Sequence, residues 1–118
     1  MNRDKRIYIS GPMSGVPREE YLRNFRQAEM ELRMKGFNHI VNPINVWVCR
    51  WLWLYRLMEK VIGKENAYTL VLLYDLWLLS RCSTICMLDG WSASRGARIE
   101  NYFAGLSNKF IITSLELI

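Results

Sequence analysis

Ser94, Arg95, Gly96 and Glu100 fall within Ser92-Ala93-Ser94-Arg95-Gly96-Ala97-Arg98-Ile99-Glu100, a stretch that reads as the opening of a helix. A helix N-terminus offers unbonded N–H groups and the positive end of a dipole, so with Arg95 and Arg98 added it suits a phosphate. Glu100 comes one turn above Gly96 on the same face, and the small residues at 96 and 97 leave room for a ligand beside its carboxylate. A carboxylate so placed can attack carbon. The same residues would also serve as a plain N-cap followed by a surface glutamate.

Three further places could take part. Asp75 has Val71, Leu72, Leu78 and Leu79 as its helical neighbours; a carboxyl in such company either finds a partner or keeps its proton, as a general acid must. The alternative is a structural acid bonded to backbone or to Arg81. Ser10-Gly11-Pro12-Met13-Ser14-Gly15 follows a strand, and its glycines and hydroxyls suit either close approach of backbone N–H groups to an anion or an ordinary turn. It has neither a Gly-Lys-Ser/Thr ending nor a Gly-x-Gly-x-x-Gly pattern, which argues against triphosphate and dinucleotide sites. Tyr8, just ahead of this loop, reads either as core or as a phenol that orients Glu100. His39 is the only histidine, so neither a Ser-His-Asp triad nor a histidine metal site is expected, and no cofactor is called for.

These residues need a frame. Ile7 to Ser10, Phe37 to Val41, Thr84 to Leu88 and Phe110 to Thr113 have the β-favouring composition of short strands. Arg18 to Lys35 has Leu22, Phe25, Ala28 and Leu32 at helical spacing, Glu19 and Glu20 in its first turn and Gly36 as its stop. Ile44 to Ile62 reads as a helix with Trp47, Trp51, Leu54, Met58 and Ile62 on one face, leaving Trp53 as an outward aromatic suited to a subunit contact. Glu65 to Ser80 is apolar almost all round and is expected to be buried. Ser94 to Leu106 is the last helix. The order β-α-β-α-α-β-α-β predicts a parallel sheet with helices on both faces and a ligand crevice beyond the strands' carboxyl ends. Gly11 to Gly15, Asn42-Pro43 and Asp89 to Arg95 all fall on that edge.

The 118 residues suit one domain spanning 1–118, and 51% hydrophobic content is enough for a core without staples. A net charge of +5 favours anionic partners, but the charges are scattered and no recognition-helix motif is present, so nucleic acid is not the expected partner. Cys49, Cys82 and Cys86 form no Cys-x-x-Cys pair and sit in apolar stretches as buried thiols, which fits a reducing cytoplasm. The N-terminus enters a strand without a signal-like run, and no charge-free stretch of about 18 residues is present to span a bilayer.

Taken together, Ile7-Tyr8-Ile9-Ser10-Gly11-Pro12-Met13-Ser14-Gly15, Asn42-Pro43, Tyr74-Asp75-Leu76, Gly90-Trp91 and Ser94-x-Gly96-Ala97-x-x-Glu100 resemble the nucleoside 2-deoxyribosyltransferase superfamily. More narrowly the chain is similar to a small bacterial and phage branch (DUF4406-like) with this glycine loop and Gly-Trp motif. The resemblance implies a flavodoxin-like (Rossmann-like) three-layer α/β fold with a sheet of roughly four to five strands. It also implies cleavage or transfer at the N-glycosidic bond of a (deoxy)nucleoside or 5′-monophosphate. Glu100 is then the nucleophile forming a glycosyl-enzyme ester, Asp75 the acid near base and sugar, and Tyr8 the residue that positions Glu100. Ser10, Gly11, Met13, Ser14, Gly15, Gly90, Trp91, Ser94, Arg95 and Gly96 are implied as substrate- or phosphate-binding.

Ser94, six residues before Glu100, matches the serine of the 5′-monophosphate hydrolases where the transferases carry an acid, although the glycine loop lacks those hydrolases' arginine. Cys82 is followed by Ser83 where an aspartate is usual. A homodimer or larger assembly is implied, since sites of this superfamily are completed by a neighbouring subunit. The competing reading is a nucleotide-binding or sensing module of the same fold without turnover. Base identity, ribose or deoxyribose, and hydrolysis or transfer stay open at this level.

Overall fold

The computed structural model describes residues 5–13, 15–45 and 52–113, with backbone alone for 52–55. Ser14, Trp47, Cys49, Arg50 and Trp51 lie outside the described residues, as does the side chain of Trp53. Four strands, β1 (Arg6–Ser10), β2 (His39–Val41), β3 (Thr84–Met87) and β4 (Phe110–Ile112), alternate with helices α1 (Arg18–Met34), α2 (Leu52–Ile62), α3 (Lys64–Ser80) and α4 (Arg95–Leu106). They form one all-parallel sheet in the order β2-β1-β3-β4. The fold is α/β, flavodoxin-like and three-layered; the strand-helix alternation predicts its parallel sheet between helices, and the resemblance implies the flavodoxin-like arrangement.

Local chemistry explains where the elements stop. α1 opens after Pro17 with Glu19 and Glu20 in its first turn, acids that complement the helix dipole. It closes at Gly36, whose φ of 97° suits glycine, while the Phe37 N–H returns to the Leu32 carbonyl. Phe37 therefore turns inward as core and the second strand begins only at His39. The final helix is likewise shorter than Ser94 to Leu106: a 3₁₀ turn (Trp91–Ala93) precedes it and Ser94 is its N-cap.

Period-two alternation in β1 divides the core. Ile7 and Ile9 pack with Phe25, Ala28 and Leu32 of α1 on one face. Tyr8 packs on the other with Ile85, Met87, Leu79 of α3 and Ala97 and Ala104 of α4. Cys82 and Cys86 are buried free thiols, held up to about 11 and about 12 by burial.

α3 departs from expectation. Ala67, Asp75 and Leu79 are its buried residues, whereas Leu70, Leu73, Tyr74 and Trp77 are 40 to 56% exposed. A helix laid on one face of a four-stranded sheet beside a second helix presents only one stripe inward. Among the described residues no helix is long and apolar enough to cross a membrane.

Gly11 ends β1 where the chain passes against the end of β3. A Cβ there would lie 2.9 Å from Leu88 Cβ, and the Leu88 N–H is bonded to the Ser10 carbonyl at 2.8 Å, so neither chain can yield easily. Gly11→Ala is expected to lower unfolding stability by about 1–3 kcal/mol. Gly105→Ala, a helical position with nothing within 4 Å, should instead raise it by roughly 0.5–1 kcal/mol. Urea unfolding of the two variants checks both signs.

Candidate functional site

β1 brings two hydroxyls to one face. Tyr8 and Ser10 are two residues apart in a strand, so they project to the same side, toward the face covered by α3 and α4. On α4 the inward stripe is Ala97, Glu100 and Ala104. The two alanines let the helix lie close to the sheet, which carries the carboxylate between them into the interior. Glu100 is only 6% exposed. The Ser10 hydroxyl donates to Glu100 Oε1 at 2.9 Å, while Oε2 has no hydrogen-bond partner among the described residues.

Burial dominates the electrostatics. Loss of water pushes the Glu100 carboxyl from 4.5 up to about 7, and the hydroxyls of Tyr8 and Ser10 pull back only part of that. Tyr8 is held well above the usual phenol range by its own burial and then by the charges of Glu100 and Asp75. It is thus a neutral O–H beside the carboxylate. A carboxyl group balanced near neutrality can give a proton, take one or attack carbon.

Glu100 lines a cavity of about 50 Å³ at the carboxyl ends of β1 and β3. Ser10, Gly11 and Met13 form one side, with Phe25 and Pro43 behind them; Ser94, Gly96 and Ala97 come from the start of α4. The remaining wall is α3, which contributes Tyr68, Val71, Leu72 and Asp75. Those four fall at i, i+3, i+4 and i+7, one helical face. Asp75 is 7% exposed, so two buried carboxyl groups share the cavity wall.

Ser94 caps a helix without using up its hydroxyl. Its Oγ accepts from the Ala97 N–H at 3.4 Å as the cap of α4, a role that does not use its own O–H donor. Gly96 has a defined neighbour: a Cβ there would come within 3.0 Å of the Tyr68 hydroxyl.

The cavity therefore gathers Tyr8, Ser10, Gly11, Met13, Asp75, Ser94, Gly96 and Glu100 of the residues marked in the sequence. Arg95, Gly15, Gly90 and Trp91 are not among its lining, and Ser14 lies outside the described residues. Arg95 is at the surface, paired with Glu65 at 2.9 Å, its guanidinium 5.3 Å from the centre of the Tyr68 ring. Gly90 takes φ of 83° to turn the chain into the 3₁₀ segment, and Trp91 packs against the core. Ser10 acts on Glu100 itself, and the space at Gly11 is taken by Leu88.

Tyr68 was not singled out by sequence reasoning. Its position seven residues before Asp75, two turns along the same face, is the signal that could have found it. Among the described residues no three His, Cys, Asp or Glu side chains cluster to hold a metal.

Burial of Glu100 has a thermodynamic consequence with a definite sign. Between pH 4.5 and about 7 the folded chain keeps a proton that the unfolded chain has released, so stability is greatest below this window and falls as pH rises through it. The shift corresponds to a destabilisation on the order of 3 kcal/mol at pH 8. Glu100→Gln, always neutral, should therefore melt several degrees above the wild type at pH 8 and close to it at pH 4.5. Equal melting temperatures at pH 8 would contradict the raised proton affinity.

No curated protein matches the chain. One family model, described as a domain of unknown function (DUF4406), matches residues 5–113 and so spans β1 to the end of β4. The chain belongs to the DUF4406 family.

Proposed function

We propose that this protein cleaves or transfers at the N-glycosidic bond of a (deoxy)nucleoside or its 5′-monophosphate, using Glu100 as nucleophile, and that its family is a branch of the nucleoside 2-deoxyribosyltransferase superfamily. The observation that carries the reading is Glu100 Oε2: a buried carboxylate oxygen with no hydrogen-bond partner among the described residues, on the wall of a cavity shared with a second carboxyl group. Leaving such an atom unsatisfied is costly, and a reacting centre would give it a partner.

In the proposed step Oε2 attacks C1′ and forms an ester as the C1′–N bond breaks. The bonding pair leaves with the base nitrogen, which takes a proton from Asp75. Water or a second base then attacks C1′, gives its proton to Asp75 and returns Glu100 to its carboxylate. Ser10 holds the idle oxygen Oε1, and Tyr8 keeps the carboxylate oriented. Ser94 and the N-terminus of α4 are the proposed seat of a 5′-phosphate; Arg95, engaged with Glu65, is set at the lip.

The second reading, a nucleotide-binding module without turnover, draws on the cavity's size, since about 50 Å³ is well below the roughly 300 Å³ of an open ligand pocket. Its mark would be thermal stabilisation by nucleotide that persists in Glu100→Gln with no base released. We also propose a cytoplasmic homodimer or larger assembly. The buried free thiols Cys82 and Cys86 support a reducing compartment, and exposed Leu70, Leu73 and Trp77 on α3 support assembly. Light scattering should give a mass above the 14.0 kDa of one chain, and a monomer at high concentration would overturn the assembly.

The activity test is a panel of deoxynucleosides and 5′-monophosphates with free base as the readout. Base release should fall at least about a thousandfold in Glu100→Ala and about a hundredfold in Asp75→Asn. Because only the carboxylate attacks, the rate should climb as pH rises through about 7, where Glu100 loses its proton. Release by the Glu100→Ala variant equal to the wild type would end the proposal.

A further inference from the structure

The start of α4 gathers hydrogen-bond donors from two helices. Ser94 accepts the N–H groups of Ala97 and Arg98, while those of Arg95 and Gly96 belong to the first turn, where a helix has no partner of its own to give them. Tyr68 brings a side-chain donor to the same turn from α3. Its hydroxyl occupies the space beside Gly96, where a Cβ would come within 3.0 Å of it. Among the described residues that hydroxyl has no hydrogen-bond partner; Tyr68 meets Arg95 through its ring, whose centre is 5.3 Å from the guanidinium.

A second, separate sign of a ligand comes from Glu100, whose Oε2 is buried and unpartnered among the described residues. Glu100, Ser94, Gly96 and Tyr68 line one cavity. Gly96 and Glu100 are four residues apart on α4, so about 6 Å of helix axis separates them, the span of a furanose ring with its exocyclic carbon. A ligand that brings a sugar carbon to Oε2 therefore sets its next group against the first turn of α4. The enclosed volume of about 50 Å³ cannot hold the whole of such a ligand, but the cavity opens to solvent, and Gly96 and Tyr68 are only half-buried. Charge decides what that outer group is. It meets N–H groups, two hydroxyls, the positive end of the helix dipole and the exposed Arg95 and Arg98. Of the neighbouring acids, Glu65 is paired with Arg95, and Asp75 is seven residues from Tyr68 on α3, about 10 Å along its axis. An anion uses these donors together, whereas a neutral hydroxymethyl group would leave most of them idle.

We infer that Tyr68 is a specificity-determining residue of this site: its hydroxyl donates to the phosphate of a 5′-monophosphate seated on the first turn of α4, and so sets the preference for monophosphates over nucleosides. The inference rests on the proposed function for the sugar and base, while the contact between Tyr68 and an anion requires no reaction. Gly96 belongs to the same device, since a side chain there would push the hydroxyl off the turn.

Two measurements on the full chain keep the inference and that reading apart. The first uses inorganic phosphate near neutral pH, followed through the backbone amide signals of Arg95 and Gly96 in nitrogen-labelled protein. Phosphate should shift both saturably, and Tyr68→Phe, which keeps the ring and removes only the hydroxyl, should weaken binding roughly tenfold with an unchanged urea midpoint. Equal phosphate affinity in Tyr68→Phe and the wild type overturns the inference, and so does a wild type whose Gly96 amide does not respond. The second uses the substrates that the panel finds to react: Tyr68→Phe should raise KM for 5′-monophosphates roughly tenfold and leave KM for the matching nucleosides within about twofold. An equal change in both overturns it as well. Absence of base release in the wild type rejects the proposed function and leaves the phosphate titration to decide the role of Tyr68.

Discussion

Burial of one carboxylate organises this site. Glu100 occupies the middle of the only stripe of α4 that faces the sheet, and its neighbours there are alanines, so the helix lies too close for the side chain to escape to solvent. One oxygen is held by Ser10 and the other has no partner among the described residues. An acid in that position works against folding at neutral pH, which is why the elements around it are so constrained: a strand with hydroxyls on alternate residues, a glycine that lets two chain ends pass in contact, and a capped helix start. A site that stores unfavourable burial in this way must be supported by rigid packing elsewhere, and Ile7, Ile9, Phe25 and Leu32 provide it on the opposite face of the sheet.

Topology turns that constraint into a cavity. β1 lies between β2 and β3, and the core divides with α1 on one face and α3 and α4 on the other. The loops after β1 and β3 therefore leave toward different layers, opening a crevice between two adjacent strand ends. Tyr8 and Ser10 enter it from the strand, Ser94 and Glu100 from α4, and Asp75 from α3. Residues 8 and 100 meet because both elements reach one edge, although 92 positions separate them in the chain.

Much of this was legible in the sequence, for identifiable reasons. The β-α alternation and the small residues at strand ends are local signals, and each fixes where an element stops and which edge its loop occupies. Asp75 stood out because a polar group among apolar helical neighbours is expensive and therefore informative, Glu100 because it comes one turn above Gly96 at a helix start, and Tyr8 because it precedes the glycine loop. What escaped depended on distance rather than sequence. Gly11 has the composition of an anion loop, yet the atom it makes way for is Leu88 Cβ. Arg95 has the charge for a phosphate, yet its nearest partner is Glu65 on another helix. Ser10 resembled a ligand contact, and its acceptor turned out to be the carboxylate of Glu100, 90 residues away. In each case the structure supplies a neighbour that the sequence did not indicate, since partners come from tertiary packing.

α3 shows the limit of hydrophobic pattern most directly. Leucines, tyrosines and tryptophan surround it, so hydrophobicity alone gives no preferred inward face, and the expectation of a fully buried helix followed. The face that actually turns inward carries Ala67, Asp75 and Leu79, a small, a polar and a single leucine side chain, while Leu70, Leu73 and Trp77 point outward. Two physical requirements select that arrangement. A helix resting beside α4 above the strand ends needs small residues where the backbones approach, and a carboxyl that serves a cavity needs to face it. In a helix apolar all round, its few non-apolar positions are the better guide to orientation, because burying a leucine is favourable on many faces whereas an aspartate is tolerated on the one that supplies it a partner.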